Sequence, residues 1–355
     1  MQVEVINSIQ QFNKLEEDWN HIYASDSHAQ IFLSWSWLRG WLEVAPHQWF
    51  ILAIKSQPDS TYVAFFPLAM RSLQWANVNV YRALQTCAHP VADYTGFICL
   101  PEYQEDVIQS FASYIHHNLE WDVFHVKDIQ DPRLNVFVEQ FSQSDFQLMT
   151  NQGATCPYIS LPDTWEEYLQ HSISRKPRKN LRNSLNKIEK NSDFHLTSIQ
   201  ADNLENQIEV LFELWQIKWG QQPESVLNTY RSVFRECAES NSLWIDILWD
   251  KATPVAATGM YIDAKKKVVY GQMTGFNPEY SKLSPGRVMM ALSIKKAIEN
   301  NIKTYDLLRG DLDYKISLLG AEKRCNTDFK IVRNNLRANT IRLAQYSKKL
   351  LSLSR

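Results

Sequence analysis

The sequence contains little glycine and no long apolar run, and both shortages narrow the class of protein. Ten glycines occur in 355 residues, which is too few for a collagen-like or low-complexity chain. No window reaches the ~20 apolar residues that a transmembrane helix needs. Residues 1–5 show no basic or apolar segment of a signal peptide. With 45% hydrophobic and 12% aromatic residues, we expect a globular cytoplasmic protein with a large core.

Cysteine and histidine are present, but in no pattern that indicates a metal site or a disulfide framework. The five cysteines are odd in number and form no C-x-x-C pair, which favours free thiols in a reducing compartment. The nine histidines show no metal-ligand spacing, so we expect no metal cofactor. No G-x-S-x-G motif occurs, and no cysteine has a recognisable catalytic partner, so a serine or cysteine nucleophile is not indicated.

Charge is unevenly distributed along the chain, although its formal net value is only −2. Residues 174–190 carry seven basic side chains and one acidic side chain. Residues 329–355 carry seven basic side chains and no acidic one. The rest of the chain is therefore acidic, and the two basic segments indicate defined anion-binding surfaces.

Hydrophobic periodicity predicts two halves that each alternate helices and strands. Apolar residues at helical spacing predict helices such as 9–23 and 287–300, and short apolar runs predict strands such as 94–100 and 268–274. The order helix, strands, helix, strand occurs twice. This repetition predicts an α/β protein with mixed (α+β) sheets, in which two similar halves meet at a cleft.

The halves are predicted to divide near residues 151–157. We expect an N-terminal half over residues 1–153 and a C-terminal half over residues 154–333. Residues 334–355 form a basic helix or tail with interleaved leucine and isoleucine, a composition that is typical of peripheral contact with an anionic membrane.

Six of the ten glycines fall within 62 residues that begin at Gly259. A strand ends near Gly275, Ser284-Pro285-Gly286-Arg287 follows as a turn, and a helix begins there. A glycine turn at a helix N-terminus presents bare N–H groups to an anion, so Ser284, Gly286 and Arg287 are candidate phosphate-binding residues. The alternative is an ordinary strand–loop–helix unit with turn glycines.

The same stretch carries a family resemblance. Ser284-Pro285-Gly286, then Tyr305-Asp306-Leu307-Leu308 with Gly310-Asp311 and Tyr314-Lys315, resembles the C-terminal half of the CelD/BcsL-type acyltransferases of the GNAT superfamily. The basic run from Ser174 and the pair Lys218-Trp219 are similar to upstream pieces of that half. The resemblance implies tandem GNAT-like halves and acyl-CoA, typically acetyl-CoA, as the co-substrate.

The chain is also similar to FemX-type aminoacyltransferases, through Gly310, Tyr314-Lys315 and Gly320. In those enzymes the matching lysine is associated with acyl transfer. The pyrophosphate signature Q/R-x-x-G-x-G/A of ordinary GNAT enzymes is absent, and Ser284-Pro285-Gly286-Arg287 stands in its place. The carrier, coenzyme A or a charged tRNA, therefore stays open.

Four residues are candidates for catalysis. Acyl transfer needs a group that takes the acceptor's proton and a group that stabilises the oxyanion. Lys315 is a candidate for oxyanion or phosphate binding, and Asp306 for a base, an acceptor-orienting group or a structural cap. Tyr314 and Tyr270 are hydrogen-bond donors in the functional interpretation and packed core residues in the alternative.

Five further residues are candidates for binding the acceptor. Arg175, Arg178 and Arg182 lie on the basic helix, where Lys176, Arg178 and Lys179 crowd the positive end of the helix dipole and an anionic ligand would relieve the repulsion. A solvated basic face is the alternative. Asp93 and Trp219 are weaker candidates. Trp35, Trp37 and Trp41 could stack on sugar rings, but their helical spacing favours core packing.

Three functions remain as expectations. The first is an N- or O-acyltransferase that modifies an amino or hydroxyl group of a sugar or another envelope or exopolysaccharide intermediate. The second is a FemX-like transferase that uses aminoacyl-tRNA, which the basic segments favour. The third is a non-catalytic scaffold at the membrane surface.

Overall fold

The computed structural model describes residues 1–355 except 59, 76, 77, 142, 143, 200, 201, 311–315, 317 and 335–355. Internal contacts divide the chain into two compact units. The first unit contains Met1–Gly153 and the described residues from Cys325 onward, and the second contains Ala154–Arg324. Each unit is built around its own sheet.

The described strands belong to two sheets. In chain order they are β1 (Gln2–Ile6), β2 (Gln48–Lys55), β3 (Tyr62–Trp75), β4 (Val78–Thr86), β5 (Ile98–Cys99), β6 (Val123–Ile129), β7 (Phe146–Thr155), β8 (Tyr158–Ser160), β9 (Phe194–Ser198), β10 (Leu243–Asp250), β11 (Thr253–Asp263), β12 (Val268–Phe276), β13 (Thr304–Asp306) and β14 (Cys325–Arg333).

The helices lie between these strands, and none in the described part of the chain is both long and apolar enough to cross a membrane. The α-helices are α1 (Ile9–Asn13), α2 (Glu16–Ser25), α3 (Trp35–Glu43), α4 (Gln104–Asn118), α5 (Arg133–Glu139), α6 (Trp165–Glu167), α7 (Arg175–Glu189), α8 (Leu204–Trp219), α9 (Glu224–Glu239) and α10 (Pro285–Glu299). Short 3₁₀ segments span Ile31–Leu33, Pro101–Tyr103 and Pro278–Leu283, and a π-helical turn spans Tyr168–Ser172.

The sheet of the first unit runs in the order β1-β2-β3-β4-β6-β14-β7, with β5 paired to β3. The pairs β1–β2, β2–β3 and β3–β4 are antiparallel, and β4 is parallel to β6. One face packs on α4 and α5 through aromatic side chains, with the rings of Phe66 and Phe111 5.3 Å apart. On the other face, Trp19 of α2 stacks on Phe65 at 4.5 Å. This packing forms the core of the unit.

The sheet of the second unit runs in the order β8-β13-β12-β11-β10-β9. Strands β9 to β12 are antiparallel, β12 and β13 are parallel, and β13 pairs antiparallel with β8. Helix α10 packs on one face with an apolar cluster that includes Ile294 and Tyr305. Helix α8 packs on the other face, against β11 and β12. The sheet is therefore covered on both sides, as its apolar central strands require.

The two sheets follow one plan, which confirms the predicted mixed α/β class. Each has four antiparallel strands, a 15-residue crossover helix and then a strand parallel to the fourth. Each parallel pair is followed by an antiparallel strand from elsewhere in the chain, β14 in the first unit and β8 in the second. The predicted cleft between the halves stays a prediction.

Two predicted boundaries differ from the structure. The C-terminal half was predicted to run to residue 333, but residues 325–333 form β14, which pairs with β6 and so belongs to the first unit. The strand predicted over residues 94–100 is reduced to β5, because only Ile98 and Cys99 pair with β3. The predicted basic tail lies outside the described residues, apart from Asn334.

Candidate functional site

Strand β12 has an open edge over its second half. Val268, Val269 and Tyr270 pair with β13 on one side, but among the described residues no strand pairs with residues 271–276 on that side. The opposite side stays paired with β11, with a bulge at Gln272. Because an unpaired edge presents N–H and C=O groups to any extended chain beside it, the second half of β12 can receive a ligand in the manner of a strand.

Strand β13 ends abruptly, and this creates the open edge. Asp306 is fully buried, and its Oδ1 accepts a hydrogen bond of 2.8 Å from the Leu308 N–H. Leu308 adopts the left-handed conformation with φ 55°. This turn carries the chain away from β12 after Asp306, so the two parallel strands separate there.

A pocket of about 370 Å³ lies beside this edge, wholly within the second unit. Its walls come from β12, from the first turn of α10, from the last turn of α8 and from residues just after the segment 311–317. Five lining residues are apolar: Phe276, Pro285, Met290, Leu318 and Leu319. The others are Lys218, Thr274, Ser281, Ser284, Gly286 and Arg287. A volume of this size suits part of a small-molecule ligand.

The N-terminus of α10 forms one wall of the pocket. Ser284 precedes the helix in the left-handed conformation with φ 53°, and its side chain makes no capping hydrogen bond. Pro285 has no N–H to donate. A Cβ atom on Gly286 would lie 3.1 Å from Cδ1 of Phe276, so the glycine allows the ring to lie against the first turn. The positive end of the helix dipole is thus directed at the pocket.

Two cationic side chains line the pocket without an acidic partner in the described part of the chain. Burial lowers the pKa of Lys218 and the pKa of Arg287. The Lys218 Nζ lies 5.8 Å from the centroid of Phe276. Arg287 donates from Nη2 to the Pro177 carbonyl, and its buried Nε has no hydrogen-bond partner. Arg287 is half-buried, which is costly for a cation without a counter-ion, whereas the Lys218 side chain is exposed. An anionic ligand in the pocket would neutralise both.

The predicted carrier-binding residues are brought together, whereas the predicted catalytic ones are not all described. Ser284, Gly286 and Arg287 line one pocket. Tyr314 and Lys315 lie outside the described residues. Tyr270 is 2% exposed on β12, opposite Asp306, and does not line the pocket. The roles of these residues stay predictions.

Asp306 has the contacts of a structural residue. Besides the Leu308 N–H, its carboxylate pairs with the guanidinium of Arg324 through Oδ2. Arg324 in turn stacks over the ring of Tyr158, 5.0 Å from its centroid. Of the three alternatives raised by the sequence, these contacts favour the structural cap. A catalytic role for Asp306 stays a prediction.

The predicted acceptor residues are dispersed. Arg175 is exposed at the start of α7. Arg178 donates from Nη1 to the carbonyls of Leu169 and Gln170, at 3.0 and 3.1 Å. Arg182 pairs with Glu166 at 2.6 Å on an exposed surface. None of these three lines the pocket.

The other two predicted acceptor residues also lie away from the pocket walls. Asp93 is buried in the first unit, where its carbonyl accepts a hydrogen bond from Asn326. Trp219 is 51% exposed beside Lys218, and it is Lys218 that lines the pocket. The sequence analysis missed Lys218 as a site residue. Its one available signal was its place between Ile217 and Trp219 in the last turn of the helix.

Comparisons with known proteins agree with this architecture. Residues 175–316 match the family model of the acetyltransferase (GNAT) domain. The crystal structure of FemX is 10% identical with a TM-score of 0.65, over 93% of this chain and 97% of that one. L-PGS from Bacillus licheniformis is 9% identical with a TM-score of 0.53, over 94% and 95%. No curated protein matches the sequence.

A third similar structure is a conserved protein of unknown function from Bacteroides thetaiotaomicron. It is 11% identical with a TM-score of 0.58, over 94% of this chain and all of that one. At such identities the likeness shows the fold alone. Residues 175–316 thus match a GNAT domain, and the chain as a whole shares the fold of FemX. The narrower CelD/BcsL type stays a prediction.

Proposed function

We propose that the protein transfers an acyl group from acyl-CoA to an amino or hydroxyl group of a sugar or another cell-envelope intermediate. The observation that carries the proposal is the pocket at the open edge of β12, where the first turn of α10 meets two cations that have no acidic partner among the described residues. An acyl-CoA has the matching chemistry: an extended amide chain for a strand edge and phosphates for a helix N-terminus and cations.

Each residue of the site would have a separate role in carrier binding or in acyl transfer. Gly286 would let the backbone of α10 approach the phosphates, and Arg287 and Lys218 would neutralise them. The acceptor nitrogen or oxygen would attack the thioester carbonyl carbon and lose its proton, and the C–S bond would break to release the thiol. Lys315 is the proposed stabiliser of the oxyanion, and Tyr314 the proposed donor to the leaving sulfur.

One observation favours a second function, transfer from aminoacyl-tRNA. Helix α7 exposes a basic surface on which Arg175, Lys176, Lys179 and Lys187 are all solvent-exposed, and its one acidic residue is Glu189. Such a surface suits the backbone of a nucleic acid. The fold that the chain shares with FemX is compatible with either carrier.

Calorimetry on the full chain separates the two carriers. We expect acetyl-CoA to bind with one site per chain and to displace any coenzyme A that mass spectrometry finds in the purified protein. A tRNA-dependent enzyme would instead bind charged tRNA with an affinity that falls steeply with salt and would not bind acetyl-CoA. Absence of acetyl-CoA binding contradicts the proposed function.

Liposome co-sedimentation tests the scaffold alternative. Vesicles that contain anionic lipid would retain a protein that acts at the membrane surface, and neutral vesicles would not. The proposed enzyme should turn over acyl-CoA with or without vesicles, whereas a scaffold should bind vesicles and show no turnover.

A further inference from the structure

A histidine–aspartate pair lies in the first unit, outside the pocket described above. Nδ1 of His89 is 2.6 Å from Oδ2 of Asp128. The Asp128 side chain is 6% exposed and that of His89 is 31% exposed. In the tautomer whose Nδ1–H donates to this carboxylate, Nε2 carries the acceptor lone pair. His89 makes no other hydrogen bond within the described chain.

The backbone at this pair is strained at two positions. Ala88 has φ 65° and Asp128 has φ 58°, a conformation that residues with a Cβ rarely adopt. The Asp128 N–H donates to Oδ1 of Asp328 at 2.9 Å, and the Asp128 carbonyl accepts from Thr95 N–H at 3.1 Å. Strain of this kind persists where surrounding contacts fix it, and it concentrates at ligand sites.

The pair occupies the place in the first unit that corresponds to the pocket in the second. His89 follows β4 by three residues, and Asp128 lies at the end of β6. These strands form the parallel pair of their sheet, as β12 and β13 do in theirs. The carboxyl ends of parallel strands are where open α/β sheets place their ligands.

Basic side chains lie on strands β3, β6 and β14 of the first unit's sheet. His125 of β6 lies opposite Lys330 of β14. Burial, followed by the charges of Lys330 and Lys127, lowers the pKa of His125 to about 4. Lys127 is paired with Asp328 at 2.6 Å.

Arg71 and Lys330 have no acidic partner among the described residues. Arg71 lies on β3, three strand spacings of about 4.8 Å from β14 and offset by two residues along the strands from Lys330. Two long cationic side chains therefore flank a neutral imidazole from opposite sides. This arrangement favours an anion above His125.

We propose that the first unit binds the acceptor at this place, as a ligand that carries both a phosphate and a hydroxyl or amino group. Arg71 and Lys330 pair with the phosphate, and Nε2 of His89, oriented by Asp128, accepts a hydrogen bond from the hydroxyl or amino group. The inference rests on the proposed function for the identity of the ligand as acceptor. Binding itself requires no acyl carrier.

Calorimetry of the full chain with glucose 1-phosphate, inorganic phosphate and glucose tests the site. We expect glucose 1-phosphate to bind about tenfold more tightly than phosphate, and glucose not to bind measurably. The double substitution Arg71→Met and Lys330→Met should weaken both anions by about tenfold or more. His89→Gln should weaken glucose 1-phosphate alone. Lys251→Met, an exposed lysine in the second unit, serves as the matched control.

Three outcomes overturn the inference. If the Arg71 and Lys330 double variant binds phosphate as tightly as His89→Gln and Lys251→Met do, the bound phosphate is an adventitious ion only. Equal affinity of His89→Gln and wild type for glucose 1-phosphate would remove the role of His89. If that variant does not fold, NMR titration of the wild-type imidazoles decides, since bound phosphate should raise the pKa of His125 and an unchanged value contradicts the site.

Acetyl-CoA affinity of the same variants separates this inference from the proposed function. It should be unchanged in all of them, because the carrier pocket lies in the other unit. Loss of phosphate binding with acetyl-CoA binding retained supports both assignments. Acetyl-CoA binding in a protein that binds neither phosphate nor glucose 1-phosphate overturns the acceptor site alone.

Discussion

Gly275 of β12 lies so close to Leu214 of α8 that a Cβ atom on the glycine would fall 2.2 Å from the Leu214 carbonyl carbon. The two backbones are therefore in direct contact, without a side chain between them. Lys218 follows Leu214 by about one helical turn. The contact thus sets the distance at which the last turn of α8, with Lys218, stands from the edge of β12.

Gly275→Ala should destabilise the second unit, because backbone atoms cannot yield as a side chain can. We expect a loss of about 1–3 kcal/mol in the free energy of unfolding, measured by urea denaturation. Gly286→Ala is the matched control, since its Cβ would meet only the Phe276 ring at 3.1 Å. Equal stability of the two variants would contradict the close packing of β12 on α8.

Asp306→Asn should lower stability rather than act only on turnover. The substitution leaves an acceptor for the Leu308 N–H but removes the charge that pairs with Arg324 in a fully buried position. Because the Arg324 side chain is 29% exposed and keeps part of its hydration, we expect a loss of about 1–3 kcal/mol. Asp163→Asn, at an exposed pair with Lys303, should leave the melting temperature unchanged. A stable but inactive Asp306→Asn enzyme would instead support a catalytic carboxylate.

The location of the pocket could be predicted from the sequence better than the charged side chains that line it. Glycine spacing and the Ser284-Pro285 turn indicated a helix N-terminus after a strand, and α10 begins there. Local signals of this kind depend on neighbouring residues only. Lys218 was missed because its place at the pocket depends on the packing of α8 on β12, a contact between residues some 60 positions apart in the chain.

Arg178→Met should destabilise the protein more than Arg182→Met. Arg178 donates to two carbonyls at the end of the preceding helical turn, whereas Arg182 pairs with Glu166 at an exposed position. We expect losses of about 1–2 kcal/mol for Arg178→Met and about 0.5 kcal/mol or less for Arg182→Met. If both variants are fully stable but bind the acceptor weakly, the sequence-based assignment to the acceptor site is correct.

Stability should fall as the pH is lowered from 6.5 towards 4, and His125 should contribute to that fall. Burial and the neighbouring cations lower the pKa of His125 to about 4, from an ordinary value of 6.5. The unfolded chain therefore binds a proton at a higher pH than the folded one, and protonation favours unfolding in this window. Melting temperatures of His125→Gln should depend less on pH between 6.5 and 4. Identical pH profiles would contradict the shifted pKa.

The course of the chain between the sheets was the least predictable part of the fold. Residues 325–333 look like any short strand, and nothing local indicates that β14 pairs with β6, some 200 positions earlier. The same holds for the His89–Asp128 pair, which depends on the register of the β4–β6 pair and on left-handed backbone at Ala88 and Asp128. Such features arise from tertiary pairing, which overrides local propensity.

The central claim, a carrier pocket held by Lys218 and Arg287, is tested most directly by the affinity of acetyl-CoA for the double variant Lys218→Met and Arg287→Met. Each hydrogen bond to a charged group contributes about 1.5–3 kcal/mol. We therefore expect the dissociation constant to rise by about 100-fold or more relative to wild type and to the control Lys251→Met. An unchanged dissociation constant in a double variant that melts like wild type would contradict the assignment of this pocket to the carrier.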